Sequence, residues 1–365
     1  MRKILIVHTG GGLGDVLLAT PVIEALKFNY PEAEIDFLVL KKNEGAVKNH
    51  PLLHKVMTMD APRPTWLQVI SWSQKLKAEK YDAALILWSN TKLAAILYLA
   101  GIPVRIGQSS RLSYSWTYTH QVIIRSENND TTSHWSHILL DFVRILRLPV
   151  PPFKPKFIIP EAAESRAQKL LEGLPDLPGP IIGIHPSKGI SDPESRWPTA
   201  IFASWLKILA EKLQARLIVT GGSHEKAVMA KIIAQSGVPC LDLSGRTDLD
   251  SLAAVMKRCQ VFICPDSGPA HLAAVCGTPV VDIFALKEDF PHRWAPVGAP
   301  SVILRPQQWD CQERCFKGKC RHFSCYRHIS PEMILDAVSK LLEESKRRQA
   351  FDADSLAEAL DSDNI

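Results

Sequence analysis

The chain has 365 residues, enough for two ordinary domains. With 46% hydrophobic and 22% charged residues it can fill two cores, which excludes an intrinsically disordered chain. A net charge of +5 suits anionic ligands or an anionic membrane surface and is far from that of a nucleic-acid-binding tail.

In chain order, short β-branched runs alternate with helical patterns almost throughout. That alternation predicts parallel sheets built from βαβ units. In the first half the pattern predicts strands at 3–8, 34–40, 83–88 and 121–124, and helices at 21–29, 66–79, 91–100 and 133–147. The opening run Arg2–Val7 is too short for a signal peptide and leads directly into glycines. This run and Ala83–Leu87 are apolar on successive residues, as expected when both faces of a sheet are covered. No stretch approaches the roughly 18 apolar residues of a membrane span, so the cytoplasm is the expected location. Pro149, Pro151, Pro152, Pro155 and Pro160 then crowd a stretch that reads as an interdomain crossing.

The second half restarts the alternation after a helix at 161–173. Strands are expected at 181–185, 215–220, 240–243, 261–264 and 279–284, with helices at 198–213, 224–236, 249–257 and 269–276. A last helix, 331–348, ends in Lys346, Arg347 and Arg348, which suits a helix C-terminus. The tail 351–365 has five acids and no base and is expected to fray. The organisation expected is a first domain at 1–155, a second at 156–348 and an acidic tail at 349–365. Doubly wound folds bind ligands beyond the carboxyl ends of their strands, so functional residues are sought there, in a cleft between the domains.

Thr9-Gly10-Gly11-Gly12-Leu13-Gly14-Asp15 follows the first strand. It is not a dinucleotide fingerprint: counted from Gly10 and Gly12, the third glycine position holds Asp15. A Walker loop fails too, since no lysine followed by Ser or Thr is present. What remains is a turn in which Gly12 and Gly14 allow close approach of a substrate and Asp15 supplies a carboxylate. Asp15 reads either as a first-turn helix cap or as a general base. Thr20-Pro21 reads as a second helix start, which would leave Asp15 in a loop.

Asp266-Ser267-Gly268-Pro269-Ala270-His271 follows the buried run Val261–Cys264. A strand running into a helix there leaves N–H groups at Ser267, Gly268, Ala270 and His271 facing one point, where the helix dipole favours an anion such as a diphosphate. The plain alternative is helix capping by Asp266 and Ser267 and a core histidine at 271. Ser187 and Lys188 follow another strand, and Arg196 opens the next helix. Lys188 and Arg196 are candidates to neutralise a diphosphate leaving group without metal. Glu225, after Gly221-Gly222, reads equally as a ribose contact or a helix acid. Arg105, Arg111, Arg125, Trp116 and Tyr118 are candidates to meet an acceptor.

These segments resemble glycosyltransferase family 9, the ADP-heptose:lipopolysaccharide heptosyltransferases. Gly14-Asp15-Val16-Leu17 with Thr20-Pro21 resembles the family's N-terminal motif. Asp266 to Ala274 with Gly277-Thr278-Pro279 resembles its donor motif, and Arg293-Trp294-Ala295-Pro296 a later one. The likeness spans about residues 1–340. It implies an α/β GT-B fold: two facing Rossmann-like doubly wound domains with a C-terminal helix, the first binding acceptor and the second the nucleotide sugar. It implies inverting, metal-independent transfer of heptose from ADP-heptose to a lipid A-linked core acceptor, with peripheral contact to the inner membrane and no nucleic acid. By motif, Asp15 takes the base role and Ser267, Gly268 and His271 the diphosphate contacts. Lys188 or Arg196 takes the basic role and Glu225 the nucleoside contact. Spacing around 188–196 departs from the family pattern and leaves the choice of base open. A transferase for another nucleotide sugar or acceptor, a non-catalytic nucleotide-binding scaffold on the same fold, and an epimerase remain as rivals.

Cys311, Cys315, Cys320 and Cys325 pack four thiols among Arg314, Lys317, Lys319, Arg321 and Arg327. In a cytoplasmic chain such density suggests structural zinc or an iron–sulfur cluster before disulfides, with free thiols also open. No catalytic cofactor is expected. Cys240, Cys259, Cys264 and Cys276 read as core residues.

Overall fold

The computed structural model describes residues 1–188, 197–309, 311, 315, 320 and 323–362, with side chains described as far as Arg348. The chain divides into two compact units, Met1–Pro160 with His292–Gly298, and Glu161–Pro291 with Ala299–Ile365. The first boundary thus falls at Pro160 rather than 155, and a short segment expected in the second domain belongs to unit 1.

Unit 1 runs β1 (Lys3–His8), α1 (Leu13–Leu17), α2 (Thr20–Asn29), β2 (Glu34–Leu40), β3 (Lys55–Met59), α3 (Trp66–Glu79), β4 (Ala83–Trp88), α4 (Thr91–Leu99), β5 (Val104–Gln108), β6 (His120–Val122), α5 (Trp135–Leu139) and α6 (Asp141–Arg144). Its six strands are all parallel, in the order β3-β2-β1-β4-β5-β6. Ile4, Leu5, Ile6 and Val7 are buried, because a central strand of a doubly wound sheet is covered on both faces.

Unit 2 runs α7 (Glu161–Leu171), β7 (Ile181–Ile184), α8 (Thr199–Leu213), β8 (Arg216–Val219), α9 (Lys226–Ser236), β9 (Cys240–Asp242), α10 (Leu249–Arg258), β10 (Val261–Pro265), α11 (Gly268–Val275) and β11 (Val280–Ile283). After the short α12 (Pro291–Trp294) come β12 (Ser301–Leu304) and α13 (Pro331–Ser362). The sheet order β12-β11-β10-β7-β8-β9 repeats that of unit 1. Its core centres on Phe202, Trp205 and Tyr326, with the Trp197 ring stacked 5.2 Å from that of Phe202.

Three strands escape the sequence pattern: β3, β5 and β12. Two of them, β3 and β12, are sheet edges, and all three are only partly buried, so they lack the continuous apolar run. The single helix expected at 133–147 is two short helices meeting at Leu140. The tail expected to fray continues as helical backbone to Ser362.

In each unit the strand order reverses beside the first strand, between β1 and β4 and between β7 and β10. Chains leaving neighbouring strands there turn to opposite faces, which opens a crevice at the carboxyl ends. The glycine loop leaves β1, Ser187 and Lys188 follow β7, and Asp266–His271 leaves β10. Strand order, invisible in the sequence, thus gathers the candidate residues at the two switch points.

Candidate active site

In unit 2 the end of β10 and the start of α11 form the expected strand–turn–helix. Ser267 is the N-cap residue, but its hydroxyl makes no cap. It donates instead to the Pro265 carbonyl at 2.8 Å and lies 3.0 Å from the Cys264 thiol. The helix therefore begins without a side-chain oxygen over its first amides, which suits an external anion. One expected donor is spent: the Ala270 N–H donates to the Ser267 carbonyl at 3.1 Å. Pro269 has no N–H to give, so Ser267 and Gly268 carry the amide contribution at the head of the turn. His271 is buried beneath it.

Lys188 joins this turn. Its ammonium lies 3.9 Å from Asp266 Oδ2 and 3.6 Å from Asp289 Oδ2, and only 14% of the side chain is exposed. Asp289 is itself fixed, accepting the Leu286 N–H at 2.9 Å. Beneath them Asp282, on β11, is fully buried, and burial pushes its carboxyl well above the ordinary range. Asp266 and Asp289 reinforce that rise and Lys188 opposes it. Burial and the two neighbouring carboxylates thus favour the neutral form of Asp282, while Lys188 favours the charged one. Sequence reasoning missed Asp282 and Asp289. The available signal was an acid inside Val280-Val281-Asp282-Ile283, a run that otherwise reads as a buried strand.

Glu225 is buried and accepts the Gly222 N–H at 2.7 Å, closing the turn before α9. Burial pulls its carboxyl upward. The field of His185, a hydrogen bond from buried Ser187 and the Gly222 amide outweigh this and hold it below the usual value. Burial lowers His185, with Glu225 opposing from 3.7 Å. The structure thus brings Ser187, Lys188, Asp266, Ser267, Gly268 and His271 to one switch point, with Glu225 on the adjoining turn. Arg196 lies outside the described residues.

In unit 1 the glycine loop behaves differently from one expectation. Thr20-Pro21 does begin α2, but Asp15 is not left in a loop. It sits in α1, and its Oδ2 accepts the Gly12 N–H at 2.7 Å. Capping is therefore a real role of Asp15. Gly14 is buried and Gly12 exposed. Gly11 adopts φ +63°, and a Cβ there would overlap the Asp15 carboxylate. A Cβ at Gly10 would overlap the Trp88 indole.

Beside this loop, Leu87, Trp88, Ser89, Gln108, Arg111, Tyr114, Ile124, Glu127 and Trp135 line a cleft of about 230 Å³ at the carboxyl ends of β4 and β5. Arg111 pairs with Glu127 at its rim. Arg105 donates to the carbonyls of Thr117 and Ile102, and Arg125 pairs with Asp130 and Asp141. Of the three arginines, only Arg111 lines the cleft. Tyr118 is buried and bonded to Ser89, whereas Trp116 is 66% exposed.

Cys311, Cys315 and Cys320 are partly buried, Cys325 is buried, and all eight cysteines are free. Cys320 Sγ accepts the Phe323 N–H at 3.2 Å. Burial, then the proximity of Cys320, Cys315 and Cys311, pushes the Cys325 thiol up to about 11. Among the described residues no three such groups stand assembled as a metal site.

Residues 69–324 match glycosyltransferase family 9 (heptosyltransferase). The chain is 25% identical to lipopolysaccharide heptosyltransferase 3 of Escherichia coli over 353 residues, covering 91% of this chain and 97% of that protein. Its fold matches a glycosyl transferase family 9 structure from Veillonella parvula with a TM-score of 0.77 at 22% identity, over 94% of this chain and 97% of that one. It matches the E. coli ADP-heptose LPS heptosyltransferase II structure at 0.75 and 21% identity, over 95% and 100% of the two chains. The architecture is GT-B, and the chain belongs to glycosyltransferase family 9, the heptosyltransferases.

Proposed function

We propose that this glycosyltransferase moves a heptose from ADP-heptose to a lipopolysaccharide core acceptor, with inversion and without metal in the chemistry. The observation that carries the reading is Lys188 held at the uncapped start of α11, beside Asp266. A cation and helix amides together stabilise a departing diphosphate as its charge develops. Similarity to proteins named for ADP-heptose and lipopolysaccharide supports the choice of donor and acceptor.

In this mechanism an acceptor hydroxyl attacks the anomeric carbon and its proton passes to Asp15. The bond to the β-phosphate oxygen breaks, and ADP leaves onto Ser267, Gly268 and Lys188. The capping bond does not exhaust Asp15, because a carboxylate has about four acceptor positions. It fixes the carboxylate at the carboxyl edge of β1. The four-cysteine segment stands apart from this chemistry. It is proposed as a structural zinc or iron–sulfur site that assembles on metal binding, supported by the influence of Cys320, Cys315 and Cys311 on the Cys325 thiol. Elemental analysis of tag-free protein showing neither metal near stoichiometry would remove it.

The catalytic reading is tested with Asp15→Asn and a panel of ADP-, UDP- and GDP-sugars. The expected result is transfer from ADP-heptose alone, reduced at least about a hundredfold by Asp15→Asn, the lower bound usual for a general base. ADP should raise the melting temperature of wild type and variant alike. Normal turnover by the variant would sink the base assignment, and preference for a UDP-sugar would sink the donor.

A further inference from the structure

The first turn of α3 carries Trp66, Leu67 and Ile70, which are 60%, 81% and 52% exposed. The same helix buries Val69, Ser73 and Leu76, so its core-facing side is already used. A second apolar face so near the helix start has no role in the packing of unit 1, and contiguous exposed apolar surface marks an interaction site. One lysine borders it, and a second lies farther along α3. Lys92 lies over the Trp66 ring at 5.6 Å and Lys75 over the Trp72 ring at 4.5 Å.

The charge is as uneven as the apolarity. Residues 61–126 contain eight Lys and Arg against two acids, Glu79 and Asp82. Both acids are engaged, Glu79 with Lys3 and Lys55 and Asp82 with the backbone amides of Arg2 and Lys3. Asp60 lies just before this segment, and Arg111 and Arg125 pair with Glu127, Asp130 and Asp141 just beyond it, so the local positive excess rests on Arg63, Lys75, Lys77, Lys80, Lys92 and Arg105. Tryptophan and leucine backed by lysine and arginine is the composition of a surface that enters the headgroup layer of an anionic bilayer.

Topology places this face usefully. Helix α3 begins just past the carboxyl end of β3, and α4 just past that of β4. The exposed turn thus lies at the same edge of the sheet as the Asp15 loop and the Trp88–Arg111 cleft. The loop before α3 is tied to the start of α4, with Asn90 donating to the Pro62 carbonyl at 2.8 Å and Lys92 to that of Pro64 at 2.6 Å. Among the described residues no helix is long and apolar enough to cross a membrane.

We infer that the Trp66–Leu67–Ile70 turn, with Arg63, Lys75 and Lys92, docks unit 1 onto an anionic phospholipid surface and presents its acceptor edge to lipid-linked substrate. The inference rests on the proposed acceptor class, but its test does not need the donor to be right. Wild type and a Trp66→Ser/Leu67→Ser/Ile70→Ser variant are sedimented with vesicles of equimolar phosphatidylglycerol and phosphatidylcholine, and with phosphatidylcholine alone. Wild type should bind the anionic vesicles, more weakly in high salt, and the variant should bind at least about tenfold less tightly. A circular dichroism spectrum and an unfolding midpoint like those of wild type show that the variant is folded. Apparent KM for a vesicle-embedded acceptor should rise in the variant, while that for the delipidated oligosaccharide should not change. Equal vesicle binding by the two proteins would overturn the inference, as would no binding by wild type. So would light scattering that finds a wild-type dimer and a monomeric variant, which would assign the face to a second copy.

Discussion

His8 closes β1 fully buried, and among the described residues neither ring nitrogen has a hydrogen-bond partner. Burial drives its pKa down to about 4. In the unfolded chain it titrates near 6.5, so below that pH the unfolded state takes up a proton that the folded state refuses. The folded pKa is depressed, so the contribution is fully present above about pH 6.5 and is lost as pH falls toward 4. Between pH 6.5 and 5 the loss from this one group is about 2 kcal/mol. His134 is also lowered to about 4, chiefly by burial, and gives a parallel slope. Comparison with His8→Gln isolates the first group: urea unfolding at pH 7 and pH 5 should show the variant losing about 2 kcal/mol less than wild type. Equal losses would mean that water or a partner reaches the ring. At this scale the sequence announces residue types but not their surroundings. Asp15 was legible as an acid after a glycine turn, and of its two readings the structure shows the cap, while the base role is the proposal made above. Asp282 was visible as an acid in an apolar strand, but the upward push on its carboxyl depends on burial and on Asp266 and Asp289 arriving from other loops, against Lys188.

The glycine loop and α1 act as one element, and Gly11 is its hinge point. It alone of the three consecutive glycines has a left-handed φ, +63°, which costs about 1–2 kcal/mol for a residue with a Cβ. An alanine there would also press on the Asp15 carboxylate that caps α1. If Asp15 is the base proposed above, Gly11→Ala is expected to lower kcat at least about tenfold while ADP still protects the protein against heat, since a small misplacement of a catalytic group is costly. Gly237→Ala is the matched control. It has φ +67° at the end of α9 and open space around its Cβ, so it should cost stability alone. Similar kcat values for the two variants would show that Gly11 matters only for strain. Element reading succeeded where a strand is central and apolar throughout, as in β1 and β4. It failed at β5, whose Arg105 and Gly107 break the run, and at the edge strands β3 and β12, where half-burial removes the signal.

The whole chain repeats one sheet order twice, and no local pattern encodes that order. Long-range parallel pairing sets it, and it alone decides which loops become neighbours at a switch point. The same long-range logic governs His292–Gly298, which leaves unit 2 in sequence yet packs within unit 1. There Arg293 donates to the Asp130 carbonyl, the Ala295 carbonyl bonds His134 Nε2 at 3.0 Å, and the Trp294 ring lies 5.3 Å from that of Trp135. This segment includes the Arg-Trp-x-Pro motif, whose function the sequence left unassigned. Its contacts identify it as a clamp on α5, holding the helix whose first residue, Trp135, lines the cleft of unit 1. Trp294→Ala removes an aromatic pair worth about 0.5–1.5 kcal/mol beyond its buried area. Because the loss falls on α5, hydrogen exchange should quicken at Trp135–Leu139 and leave the amides of β1 and β2 protected. Acceptor KM should rise, and the ADP-induced thermal shift should not change. If exchange instead quickens across both sheets, the segment supports the fold at large. If α5 exchanges as in wild type, the Trp294–Trp135 contact contributes nothing to the cleft.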